Sequence, residues 1–194
     1  MTGQPTDVTA EVEAHLRAAL GGGPVRASVT FLGAPPVDVL RFGPDSQRLV
    51  HYATVGCSRH PMGDPEAMLT DSLHGPRVEL VLPLRGGVDG VLRSLSILAA
   101  APIVEGLILQ PDALVDLREP LWDGAAFTAV VLGAGSVADL ELAAPMDPVR
   151  FLEVVPVTGT EAAWVRLRGA QALRDAWTEA GIDVRDPGRS AVTL

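Results

Sequence analysis

The stretch HYATVGCSRHPM, His51 to Met62, holds the chain's one cysteine, two of its four histidines, and a serine, an arginine and a methionine. Cys57 and His60 have the spacing of half a zinc knuckle. A structural zinc wants four ligands, and the remaining histidines, His15, His51 and His74, are scattered with no second cysteine to join them. Half a motif specifies little. A Cys–His nucleophile needs the imidazole beside the thiol and a third group to orient it. His51 and Cys57 share one face of an alternating strand, yet lie about 20 Å apart at ~3.3 Å per residue. His60 could fold back after Gly56. Against the nucleophile stands a small hydrophobe buried at a strand end.

A second run raises different chemistry. FTAVVL followed by GAGSVA, Phe127 to Ala138, is a strand and then G-x-G-x-x-A, the dinucleotide-binding fingerprint. Glu153 lies about 20 residues on, where a ribose-binding acid is expected. The helix that should follow, Ser136 to Ala144, is cut short by Pro145 and Pro148, and too little chain remains to finish a doubly wound sheet. A Gly-rich hairpin between two strands is the favoured reading. Nucleotide binding through Gly133, Gly135 and Ala138 is kept as the alternative. The carboxylate pairs Asp116 with Glu119 and Asp139 with Glu141 read as solvated loops. Trp164 and Trp177 read as core anchors, and Trp122 reads first as a core plug, with a binding surface as the alternative.

Composition narrows these choices. The 194 residues are 47% hydrophobic and 20% charged, which suits one globular domain able to bury its core without staples. One cysteine forbids an internal disulfide. The start, MTGQPTDVTAEVEAH, has no basic segment and no apolar run of the signal-peptide kind. The longest apolar window, Leu95 to Leu109, is interrupted by Pro102, Glu105 and Gly106 and is too short to span a bilayer. A cytoplasmic protein is expected. Net charge is −9, and every basic residue is arginine. A Walker-type loop and a pyridoxal Schiff base both need lysine, so both are excluded. Neither a cofactor nor a metal is expected. An acidic surface repels nucleic acid and draws a basic protein partner.

These residues need elements to hold them. Thr9 to Leu20 reads as a helix with Val12, Leu16 and Leu20 in one stripe, ended by Gly21-Gly22-Gly23-Pro24. Strand-like runs follow at Ala27–Leu32, Val37–Phe42 and Arg48–Val55, with turn residues between them. Arg59 to Pro76 is polar and loop-like, a length that usually carries function. Arg77–Leu84 reads as a strand, Asp89–Ala100 as a helix, and Leu107–Leu109 and Ala113–Leu117 as short extended pieces. Phe127–Leu132 and Val149–Val155 are further strands. Thr158-Gly159-Thr160-Glu161 has capping-box spacing before a helix whose stripe is Ala163, Leu167, Ala170, Leu173 and Trp177, closed by Gly181. Asp183–Leu194 is expected to add a terminal strand. The whole predicts a single α+β domain over 1–194, with a mostly antiparallel or mixed sheet flanked by helices.

Four pieces, in order, resemble the Suppressor of fused domain family. ATVGCSRHPM resembles its T-x-G-x-S strand end with the following His-Pro-Met. RVELVLPL and EPLWDGAAFTAVVL come next. VRFLEVVPVTGTEAAWVRLRGAQAL resembles its strand-to-helix passage with P-l-t-x-x-E. The chain departs from the family at Cys57, where an aliphatic residue is more usual, which argues against a required thiol. In the opening motif Gly56 permits a bulge, Ser58 and Arg59 can tie a turn, and Pro61 fixes the exit. Glu79, in an apolar strand, needs a partner if it faces inward, and Arg59 is the candidate. Ser58, Arg59, His60, Met62, Glu79 and Trp122 are the candidate binding residues, largely architectural in character.

The resemblance implies binding rather than chemistry. In animals the family member sequesters a transcription factor in Hedgehog signalling, but with a C-terminal region that a chain this short lacks, so that role does not carry over. Bacterial stand-alone members resemble immunity proteins of polymorphic toxin systems, which neutralise a toxin by binding it. An acidic chain suits a basic toxin. The expected function is therefore a non-catalytic protein-binding domain, an immunity protein in its sharpest form. A small nucleotide-binding enzyme is the alternative, and a homodimer whose interface is its only binding surface is the third reading.

Overall fold

Four strands follow one another as an antiparallel meander: β1 (Val25–Val29), β2 (Val37–Phe42), β3 (Leu49–Val55) and β4 (Arg77–Arg85). Three more form a second antiparallel set: β5 (Leu114–Asp116), β6 (Phe127–Ala134) and β7 (Val149–Thr158). The two sets join where β7 lies parallel to β4, with Arg77 opposite Val149 and Val81 opposite Glu153. The result is one seven-stranded mixed sheet in the order β1-β2-β3-β4-β7-β6-β5. A parallel pair needs a crossover, and here it is supplied by α2 (Val91–Glu105) together with the β5–β6 hairpin. This computed structural model describes residues 8–31, 33–63, 71 and 73–194. The expected strand end at Leu32, part of the 59–76 loop, and the first seven residues lie outside the described residues.

Both faces of the sheet are covered. On one, Val78, Leu80, Leu82 and Leu84 of β4 alternate toward α2, which contributes Val91, Leu95 and Leu98. On the other, α1 (Val8–Leu20) lays Val12 and Leu16 over Leu40, Ala53 and Phe151. Beside it, α3 (Gly159–Arg168) and α4 (Ala170–Glu179) cover Ala129, Val131 and Val157. With helices on both faces, β4 is buried along eight of its nine residues, which is why RVELVLPL reads as a nearly continuous apolar run.

Four local expectations change. The last helix is two, because Gly169 breaks it with φ 85° and ψ 165°. The break shifts the phase: Ala162 and Val165 are buried before it and Ala170, Leu173 and Trp177 after it, while Leu167, placed in a continuous stripe, is 78% exposed. Residues 183–194 form no strand. They run as turns whose Arg189 docks on α3 and α4. α2 continues through Pro102 to a left-handed cap at Gly106, and Leu107–Leu109 is a connector rather than a strand. The capping box at the start of α3 forms as its spacing predicts: the Thr158 hydroxyl accepts the Glu161 N–H, and Glu161 Oε2 accepts the Thr158 N–H at 2.9 Å. No helix among the described residues is long and apolar enough to cross a membrane.

The GAGSVA run is also resolved. Gly133 and Ala134 belong to β6, which pairs antiparallel with β7, and no helix follows them. Dinucleotide binding requires a strand–turn–helix, with the phosphate at the helix N-terminus, and that is absent here. Gly135 instead permits close approach to β7: a Cβ there would come within 3.0 Å of the Phe151 carbonyl oxygen. The loop is pinned to α1 by His15, whose Nε2–H donates to the Ala138 carbonyl at 2.7 Å. Glu153, the candidate ribose ligand, is held by Arg185 at 3.1 Å.

Candidate functional site

Five of the six candidate residues, Ser58, Arg59, His60, Met62 and Glu79, gather at one corner, where β3 ends, a short 3-10 turn (Cys57–Arg59) follows, and β4 begins. The β3–β4 ladder closes at Ala53 opposite Val81. Beyond it the Thr54 hydroxyl takes over a ladder position, accepting the Leu80 N–H at 2.8 Å. Into the opening between the strands comes the Glu79 carboxylate, with no exposed surface. Oε2 accepts the Thr54 hydroxyl at 2.6 Å. Oε1 accepts the Gly56 N–H at 2.9 Å, the Ser58 N–H at 3.0 Å and the Ser58 hydroxyl at 2.6 Å. Gly56 makes this possible: its φ of 125° turns the chain so that amides 56 and 58 converge on one oxygen.

This corrects the expected partner of Glu79. Arg59 does not pair with it. Four neutral donors from Thr54, Gly56 and Ser58 do. Burial pushes the Glu79 carboxyl above its ordinary range, and the hydroxyl and amide donors oppose that rise without cancelling it. The arginine that does serve the corner is Arg77, only 2% exposed, whose Nη1 donates to the carbonyls of Ser58 and Arg59 at 2.8 and 3.1 Å. Asp147, from the loop before β7, sits close enough to Arg77 to offset part of its desolvation, and it also accepts the Gly75 N–H at 2.6 Å. Thr54, Arg77 and Asp147 were not singled out in the sequence. The signals were a hydroxyl and a guanidinium at the ends of otherwise apolar strands, Thr54 being also the threonine of the T-x-G-x-S strand end.

The remaining candidates divide by exposure. Met62 is buried, and its sulfur accepts the Leu109 N–H at 3.3 Å, tying the connector after α2 to the corner. Arg59 is half-buried and His60 exposed, so these two reach the surface. Cys57 is 2% exposed and packs in the core under α2, and burial, followed by the Glu79 charge, pushes its thiol well up. A buried, protonated thiol and an exposed imidazole do not make a nucleophile pair. No group of three or more His, Cys, Asp or Glu able to hold a metal occurs among the described residues. His51 is taken by Asp45, at 3.1 Å.

Trp122 lies apart from the corner. It touches Gly90 at the N-terminal end of α2, whereas Met62 reaches the connector beyond its C-terminal end, about 22 Å away at 1.5 Å per residue. It is half-buried, its ring 5.5 Å from that of Phe127. One carboxylate pair also differs from expectation: Asp116 is not simply solvated but accepts the Arg118 N–H and pairs with Arg166 of α3 at 2.7 Å, which together lower its pKa.

A third cluster was missed altogether. Glu161, fully buried, is bridged by Arg189 at 2.7 Å and accepts the Trp177 indole N–H at 2.9 Å and the Val192 N–H at 3.1 Å. The Arg189 guanidinium lies over the rings of Phe127 and Trp177. Desolvation would raise the Glu161 carboxyl, but these donors, Arg189 foremost, hold it below its ordinary value. This cluster is a clasp for the C-terminal segment.

Comparison with known proteins agrees with this architecture. The family model described as Suppressor of fused protein (SUFU) matches residues 33–190. Among solved structures, a SUFU homologue from Neisseria gonorrhoeae FA 1090 superposes with a TM-score of 0.72 at 18% identity, covering 98% of this chain and 99% of that one. The Sufu–Fu complex matches with a TM-score of 0.70 at 13% identity over 97% of this chain and 93% of the other. Drosophila Suppressor of Fused matches at 0.64 and 14% identity, and this chain spans 50% of its length. No curated protein matches the sequence.

Proposed function

The chain belongs to the Suppressor of fused protein family, and from that premise we propose that it is a non-catalytic protein-binding domain whose partner is a basic protein. The observation that carries this reading is how the polar chemistry is used. Glu79, Ser58, Thr54 and Arg77 spend their donors and acceptors on one another and on the backbone, inside the corner. Among the described residues no poised nucleophile, acid or base is left there, and a binding role asks only for a stable surface. A relative of the same fold was crystallised as a Sufu–Fu complex, which accords with a role in protein association. The net charge of −9 favours a basic partner and speeds its encounter.

In its sharpest form the domain is a cytoplasmic immunity protein that neutralises a basic toxin of a polymorphic toxin system. The test is co-expression with the product of each neighbouring gene, followed by calorimetric titration of the purified pair. The expected result is a tight complex that weakens as salt rises, with rescue of cells expressing the toxin. If no neighbour binds and no cell is rescued, the reading is wrong. Light scattering of the free chain separates it from a homodimer.

A further inference from the structure

The loop 119–124 is held rigidly against the start of α2. Leu121 is buried, its N–H donates to the Phe127 carbonyl at 3.0 Å, and its own carbonyl accepts the Ser94 hydroxyl at 2.7 Å. The Trp122 carbonyl accepts the Ala125 N–H at 3.0 Å. Gly90 packs so closely beneath Trp122 that a Cβ there would lie 3.0 Å from the Trp122 Cβ. Its backbone and Cβ are thus fixed, its ring rests 5.5 Å from that of Phe127, and the partly exposed side chain lines a cleft of about 500 Å³ whose apolar lining is Ile97, Pro120 and Leu121. Glu119 and Asp123 stand exposed on the rim, and neither carries an ion pair with another described residue. They outnumber the single guanidinium lining the cleft, that of Arg93.

We propose that this cleft grips the basic partner: an arginine or lysine side chain of the partner lies over the Trp122 ring with its cation between Glu119 and Asp123. The proposal rests on the reading of the chain as a binder of a basic protein and gives that binder a place. The physical case is that an aromatic face attracts a cation, that an indole whose backbone and Cβ are already fixed loses less freedom on binding, and that interface anchors are typically tryptophan set among groups that exclude water. Apolar lining takes the methylene stem, and the unpaired carboxylates take the charge. The described residues of the corner around Glu79 offer no such combination, because its carboxylate is sealed inside.

Hexa-arginine is the probe, with hexa-glutamate as its control, titrated into the 15N-labelled chain. The Trp122 indole resonance, assigned by its loss in Trp122→Phe, and the amides of Gly90, Ser94 and Asp123 are expected to shift with hexa-arginine alone. The double substitution Glu119→Gln/Asp123→Asn should weaken that binding about tenfold. The same charge change at Asp139→Asn/Glu141→Gln, on the loop packed against the α1 face, should weaken it by less than about twofold. All four of these carboxylates reach the surface, so the variants keep the fold. Shifts that avoid Trp122, or equal loss in the two double variants, would overturn the proposal while leaving a basic partner in place. Hexa-arginine that does not bind at all would overturn it too, and titration with the neighbouring gene product then decides the broader reading separately.

Discussion

Ser58 and Glu79 are joined twice: the backbone N–H and the hydroxyl of Ser58 both donate to Glu79 Oε1, at 3.0 and 2.6 Å. With Thr54 and Gly56 completing the set, a side chain near the start of an apolar strand becomes the template on which the corner after β3 is folded. Each donor would be buried without an acceptor if the carboxylate were removed.

Glu79→Ala is therefore expected to cost about 3 kcal/mol or more, since several buried donors lose their acceptor at once. Glu79→Gln keeps one oxygen for the Gly56 and Ser58 donors and offers an N–H to the Thr54 hydroxyl, so it should cost much less. Urea unfolding of the two variants checks the order. A Gln variant as damaged as the Ala variant would show that charge, rather than acceptor geometry, is what the corner needs.

Cys57 should be chemically silent. Its thiol is buried and raised well above its ordinary value, so a thiol reagent at pH 8 should label it only as fast as the protein unfolds. Cys57→Ala should leave any binding intact and cost about 1 kcal/mol for the small cavity. Rapid labelling of the native protein would contradict the structure.

The clasp gives a large effect of another kind. Arg189→Ala leaves Glu161 buried without its cation and should cost about 3–5 kcal/mol. The pH dependence follows from the lowered Glu161 carboxyl. Its stabilising contribution is present above the ordinary value of 4.5 and is lost as pH falls through the depressed value. Glu79 has the opposite sign: its carboxyl is raised, so its contribution is complete below 4.5 and declines as pH rises through the elevated value. Thermal melts of wild type between pH 3 and 5 should therefore show a loss toward acid that is flattened in Arg189→Ala.

Gly56→Ala tests the turn itself. The residue has φ 125°, and a Cβ would meet the Pro36 carbonyl oxygen at 3.2 Å. Strain and crowding together should cost about 2 kcal/mol, and amide exchange at Ser58 should quicken more than at Leu82 in the middle of β4. Uniform destabilisation, with no local loss at Ser58, would argue against the turn as the point of strain.

The sequence alone determined what depends on near neighbours. The α1 stripe of Val12 and Leu16, the six residues of β2, the run of β4 and the Thr158–Glu161 capping box all came through, because periodicity and caps act over a few residues. The family resemblance rested on that same order of pieces. What tertiary structure alone decided is which side chains meet. Thr54 lies 25 residues from Glu79, and Arg189 lies 28 from Glu161. Strand register and sheet order bring each pair together, and neither is written in local pattern. Arg59, in the turn after β3 and of the right charge, looked the natural partner for Glu79, yet the splayed end of β3 aimed two amides and two hydroxyls there first. Likewise Trp122 is one loop residue among several until α2 presents Gly90 beneath its Cβ and leaves the side chain partly exposed.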